Sequence, residues 1–156
     1  MRGLSATANA KRPVREVWTE ASDPKRWGGF VEAFAGWGLK FRSEVVGGPA
    51  DPPGVGTQVA LSKVAGPPVI RCRVGWWDPL RGMTVMVQSG GWLTGYHGTF
   101  TIKLSELDDS LTSLELSMQV VFLNRLVELT SLLMPSGMLY KRRLAKVLAL
   151  LAAPKD

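Results

Sequence analysis

The sequence predicts an α+β domain: an antiparallel sheet of seven strands, two short helices after the first strand, and a long C-terminal helix. Three observations carry that expectation. Between Leu39 and Val120 apolar residues recur at every second position in six separate stretches, each ended by glycine, proline or aspartate. An earlier alternating stretch, Leu4 to Ala10, runs into two short segments at helical spacing, each opened by a proline. After Phe122 the period becomes helical again and holds as far as Leu151. The 156 residues read as one domain, 1–156, long enough to bury a core and fold unaided.

Taken in order, Leu4, Ala6, Ala8 and Ala10 alternate with Ser5, Thr7 and Asn9, a strand with one inward face. Pro13 suits the first turn of a helix whose Val14, Val17, Trp18 and Ala21 share one side. Asp23 caps and Pro24 opens a second helix carrying Trp27, Phe30, Val31 and Phe34, held to about three turns by its glycines. Leu39, Phe41, Ser43 and Val45 form the second strand, and the prolines and glycines of 47–54 make a loop. Thr57, Val59 and Leu61 form the third, and Gly66-Pro67-Pro68 turns into the fourth, with Ile70, Cys72, Val74 and Trp76 inward. Met83, Val85 and Val87 mark the fifth, before a Gly90-Gly91 turn. Tyr96, Phe100, Ile102 and Leu104 mark the sixth, opposite His97, Thr99, Thr101 and Lys103. Leu114, Leu116, Met118 and Val120 mark the last, opposite Glu115 and Gln119. In the final helix, interrupted by Pro135, the residues Leu133, Gly137, Tyr140, Leu144, Val147, Leu148 and Leu151 share one face. Arg142, Arg143 and Lys146 fall on the other.

Composition excludes several classes of function. A net charge of +6 raises nucleic acid or anionic lipid as partners, but the basic residues are scattered apart from Lys141, Arg142, Arg143 and Lys146. No nucleic-acid motif or stacking platform is present, so no nucleic-acid partner is expected. The basic helix face reads as solvated, with weak membrane-surface contact as its alternative. No apolar run approaches the roughly 18 residues that cross a bilayer, and the N-terminal residues lack a secretory pattern. A single cysteine, Cys72, permits no internal disulfide, so a reducing cytoplasm is the expected compartment. Its inward parity makes it a small hydrophobe rather than a nucleophile. His97, the one histidine, points outward and has no serine or cysteine partner. No catalytic residue, metal site or cofactor is therefore expected.

Several landmarks resemble a known superfamily. Ala10 to Trp18 is similar to an "A-P-x-x-x-V-W" opening, and Asp23-Pro24 followed by Trp27 to a "D-P-x-x-x-W" second helix. Trp77-Asp78-Pro79-Leu80-Arg81 looks like a strand ending in D-P-P-x-R, and Gly95 to Leu104 like the "G-x-x-x-F-x-L" strand that follows. In this order they resemble the helix-grip superfamily of START lipid-transfer domains, birch-pollen-allergen-like proteins and polyketide cyclase/dehydrases (SRPBCC), the cyclase/dehydrase-like branch most. The usual Asp-Gly-Thr-Thr hairpin is replaced by Asp108-Asp109-Ser110, which alters a turn only.

The resemblance implies that the sheet is curved around the last helix and encloses a cavity. Trp27, Phe30 and Phe34 are then candidates for its mouth, or plain core. Trp76, Tyr96, Phe100, Leu116, Met118 and Tyr140 are candidate lining residues, with Trp76 and Tyr96 offering a polar handle on an apolar body. Gly137 leaves room for a ligand where leucine would close the gap, or simply starts the helix. The function implied first is binding or carriage of an apolar small molecule, lipid-like, aromatic or polyketide-like. The alternatives are a cyclase/dehydrase-like enzyme and a co-chaperone-like interaction module.

Overall fold

A computed structural model describes residues 2–35, 38, 40–64, 68–90, 95–126, 129 and 136–154. Strand β1 (Arg2–Ala10) leads through Pro13 into helix α1 (Val14–Ala21). A short 3-10 turn (Pro24–Arg26) then opens α2 (Trp27–Ala35). The strands β2 (Phe41–Gly47), β3 (Gln58–Lys63), β4 (Pro68–Asp78), β5 (Gly82–Ser89), β6 (Tyr96–Asp108) and β7 (Leu111–Phe122) follow, and α3 (Ser136–Ala152) ends the fold. The predicted Gly66-Pro67 and Gly90-Gly91 turns and Leu133 lie wholly or partly outside the described residues.

All seven strands join one antiparallel sheet in the order β1-β7-β6-β5-β4-β3-β2. Hairpins connect β2 through β7 in sequence, as short antiparallel connections favour. β1 instead pairs with β7, from Arg2 opposite Val120 to Ala10 opposite Thr112. The two short helices therefore carry the chain from one edge of the sheet to the other. α3 packs along β1 and against α2, with contacts to α1 and β7, which puts it across the sheet's inner face.

The capping chemistry works as expected. The Asp23 carboxylate accepts a hydrogen bond from the Lys25 N–H at 3.0 Å, satisfying a donor that the helix start leaves free. Gly28, inside α2, is there for close approach: a Cβ would stand 2.7 Å from the Phe41 carbonyl oxygen. Its N–H donates to Ser43 Oγ at 2.6 Å, which locks α2 onto β2. At the β6–β7 hairpin Asp108 Oδ1 accepts from the Ser110 N–H at 2.7 Å, so the altered turn still closes.

Alternation places Val59, Leu61, Val74 and Leu114 inward, and α3 turns Leu144, Leu148 and Leu151 toward the same core, all fully buried. Each such side chain contributes about 1.5–3 kcal/mol on removal from water. Leu116 and Met118 are buried while Glu115 and Gln119 are exposed, so β7 has the predicted register. Beside the core, the guanidinium of Arg12 is buried and ties two helices together. Its Nη1 donates to Glu20 Oε2 at 2.7 Å and to the carbonyls of Leu151 and Ala153 at 3.2 and 3.0 Å. A cation at these last carbonyls complements the negative end of α3.

Two expectations about facing are corrected. Trp76 points outward and is 40% exposed. A bulge at Gly75 is the cause: Val74 pairs with Val85, but Trp76 pairs with Thr84, so one extra residue flips every later side chain. Trp77 takes the inner side and meets Trp18 edge-on, ring centres 4.9 Å apart. Trp76 instead covers Gly82, where its ring would stand 3.1 Å from an added Cβ. Arg143 is half-buried rather than on the solvated face of α3. At 3.6 residues per turn it lies only about 40° from Val147 and about 60° from Tyr140, on the flank of the buried face.

Candidate ligand cavity

Between the sheet's inner face, α2 and α3 lies a cavity of about 130 Å³. Its walls come from four directions. β3 and β4 supply Leu61, Ile70 and Cys72, and β5 supplies Met83, Val85 and Val87. β6 and β7 supply Tyr96, Phe100, Ile102 and Leu116, while Leu144, Val147 and Leu151 of α3 form the opposite wall. The 3.6-residue period of α3 and the two-residue period of the strands converge on one apolar space. α2 closes the remaining side with Trp27, Phe30, Val31 and Phe34, and Ala21 ends α1 there. The half-buried residues are Phe30, Val31 and Phe34 of α2 with Tyr96 and Phe100 of β6, and they mark the rim. The strand and α3 walls are otherwise buried.

Six of the ten candidate residues line this space: Trp27, Phe30, Phe34, Tyr96, Phe100 and Leu116. The other four do not. Trp76 is turned outward by the bulge. Met118 is buried on the inner face beyond the cavity wall, opposite Leu4 of β1 and Phe100 of β6. Gly137 sits over β1, where an added Cβ would find only Leu4 Cδ2 at 4.0 Å, so it does not open the cavity. Tyr140 lies one layer out, stacked on Phe34 with ring centres 6.1 Å apart. Ile70, Cys72, Val85, Val87 and Leu144 were legible as inward by parity. No sequence signal separates an inward residue that borders empty space from one that is packed over.

The lining is almost entirely hydrocarbon. The Trp27 indole N–H is spent on the Ala21 carbonyl at 3.0 Å. Burial pushes the Cys72 thiol up to about 12. Burial also lifts the Tyr96 phenol to about 12, with smaller contributions from Cys72 and Tyr140 nearby. Both groups are therefore neutral at pH 7 and unsuited to taking up a proton. Among the described residues no hydrogen bond engages the Tyr96 hydroxyl, and its half-buried ring forms part of the cavity lining. His97 is exposed on the outer face of β6, opposite Gln88 and Val121.

At the rim the aromatic rings form a chain. Phe34 meets Phe100 edge-on at 5.8 Å and stacks on Tyr140. The Arg143 guanidinium stands 6.0 Å from the Phe34 ring centre and 5.9 Å from that of Tyr140.

No family profile matches the chain, and no curated protein matches it by sequence. Solved structures do match. Truncated norcoclaurine synthase from Thalictrum flavum superposes over 99% of this chain and 95% of its own, with a TM-score of 0.62 and 19% identity. The same enzyme in complex with dopamine and hydroxybenzaldehyde matches with a TM-score of 0.59 and 18% identity, over 99% of this chain and 89% of its own. A conserved protein from Geobacillus kaustophilus matches over 93% and 96% of the two chains, TM-score 0.58, 17% identity. Ara h 8.0201 matches over 95% and 98%, TM-score 0.55, 14% identity. The chain has the helix-grip fold that these structures share. Among the described residues no helix is long and apolar enough to cross a membrane.

Proposed function

We propose that this protein binds or carries a compact apolar small molecule in the cavity under α3. The observation that carries this reading is an unfilled space of about 130 Å³ with hydrocarbon walls at the place where α2, α3 and the sheet meet. An engineered apolar cavity of about 150 Å³ stays dry and takes benzene, so the space suits one aromatic ring or a branched aliphatic group. Affinity comes from removing ligand surface from water, at about 25 cal/mol per Å² before ordering costs. The Tyr96 hydroxyl offers one hydrogen bond for orientation. The norcoclaurine synthase complex, in which the same fold holds dopamine and hydroxybenzaldehyde, supports a ring-sized ligand. Cys72 and Tyr96 are the two titratable lining groups, and burial raises both, so neither supplies a base at pH 7.

Native mass spectrometry of protein purified from its own host tests the reading, followed by titration with indole and isobutylbenzene. A bound small molecule, or a rise in thermal stability with either probe, is expected. Neither retained ligand nor probe uptake would leave the co-chaperone-like alternative standing. Conversion of the retained molecule would put a cyclase-like enzyme in its place.

A further inference from the structure

We propose that the ligand is a compact aryl carboxylate, its ring in the cavity and its carboxylate held at the rim by Arg143. This rests on the cavity reading above and adds the chemical class. Four other basic side chains face an acidic partner: Arg12 and Arg26 meet Glu20, Lys40 meets Glu32, and Arg81 meets Asp78. Arg143 is half-buried and has no carboxylate partner among the described residues. What faces it instead is the Phe34–Tyr140 stack, about 6 Å from the guanidinium to each ring centre.

Such a placement strips water from a cation and returns only part of its hydration energy through the rings. The planar fork stays available to a carboxylate, which it grips through two parallel N–H···O bonds. Position decides what arrives there. Phe34 lies under Arg143 and also forms the cavity wall, so the cation and the apolar space are separated by a single ring. Arg143 does not itself line the cavity, so a molecule whose ring fills that space meets the guanidinium by extending a short chain past the Phe34 ring. The lining contains no acidic side chain to repel the anion. A neutral ligand would gain from the cavity but leave Arg143 unused.

The test is isothermal titration with 4-phenylbutyrate and 4-phenylbutyramide, which share a body and differ in charge. The wild type should bind the acid about ten-fold more tightly than the amide, the worth of one partly solvated charge-assisted contact. Arg143→Gln should cut that preference to about two-fold or less while holding amide affinity within about two-fold. Arg143→Lys should fall between, since it keeps the charge and loses the fork. Arg142→Gln, the same charge change on the exposed neighbour, should keep the full preference. Circular dichroism and thermal midpoints establish that each variant is folded. Equal wild-type affinities for acid and amide would overturn the proposal, and so would a preference that survives Arg143→Gln. Loss of preference in Arg142→Gln as well would assign it to the overall +6 charge and overturn it too. If the amide binds and the acid gains nothing, the carboxylate assignment falls and the cavity reading stands. If neither probe binds, both fall.

Discussion

Val85→Phe decides whether the space under α3 is a usable cavity. Val85 is buried in the middle of β5, opposite Val74 on one side and Phe100 on the other, with its side chain on the cavity wall. The substitution adds about four carbons to that wall, each able to gain about 0.8 kcal/mol on burial. Strain from adjusting neighbouring rotamers subtracts about 1 kcal/mol or more. Into an empty space of about 130 Å³ the net effect is a gain of about 1–2 kcal/mol. For a domain of this length that raises the thermal midpoint by about 2–8 °C. Into a filled core the same ring overpacks and costs about 1–3 kcal/mol. Urea unfolding with a constant m-value reads the sign, and titration with isobutylbenzene reads the consequence, a loss of at least about ten-fold in affinity. A variant destabilised by more than about 1 kcal/mol that still binds the probe like wild type would refute the cavity's position.

Four further outcomes follow from the same geometry. Gly137→Leu, at the start of α3 and clear of the cavity, should leave probe binding unchanged and hold or raise stability by up to about 1 kcal/mol in urea unfolding; lost uptake would place the residue back on the wall. Arg12→Met leaves the Leu151 carbonyl and part of Glu20 without their donor and should cost about 3–5 kcal/mol, whereas Arg12→Met with Glu20→Leu should recover part of that loss. Cys72 and Tyr96 keep their protons up to about pH 12 when folded, whereas the unfolded chain releases them near pH 8.5 and 10. The unfolded state thus binds fewer protons across that window, so stability is full below about pH 8.5 and falls toward pH 12, by at most about 1.4 kcal/mol per pH unit and group. Cys72→Ala should flatten the first part of that slope; wild-type stability constant from pH 9 to 11 would contradict the burial. Finally, His97→Ala on the outer face should change probe affinity less than about two-fold by calorimetry.

Much of this architecture was legible because it depends on local periodicity. A two-residue repeat on a strand and a 3.6-residue repeat on a helix each choose an inner face without knowledge of partners. Hence Leu116 could be placed inward, Glu115 outward, and Leu144, Val147, Leu148 and Leu151 together on one side of α3. Proline and aspartate marked where the two short helices begin, since those effects act within a few residues. Trp76 escaped this reasoning. Alternation assumes unbroken pairing, and the extra residue at Gly75 becomes visible only when β4 is laid beside β5. Arg143 escaped it too, because a residue on the flank of a helix is buried or exposed according to what stands opposite. Here Phe34 arrives from a different helix.

The sequence alone determined which faces turn inward and that an apolar interior would form between sheet and helix. Whether that interior closes completely was decided by tertiary packing. The spacing of α2, α3 and the strands leaves about 130 Å³ beside Val85, Phe100 and Phe34, and sets the Arg143 guanidinium over the Phe34 ring. A void is the residue of many side-chain volumes and backbone separations summed in three dimensions, so no single stretch of sequence contains it.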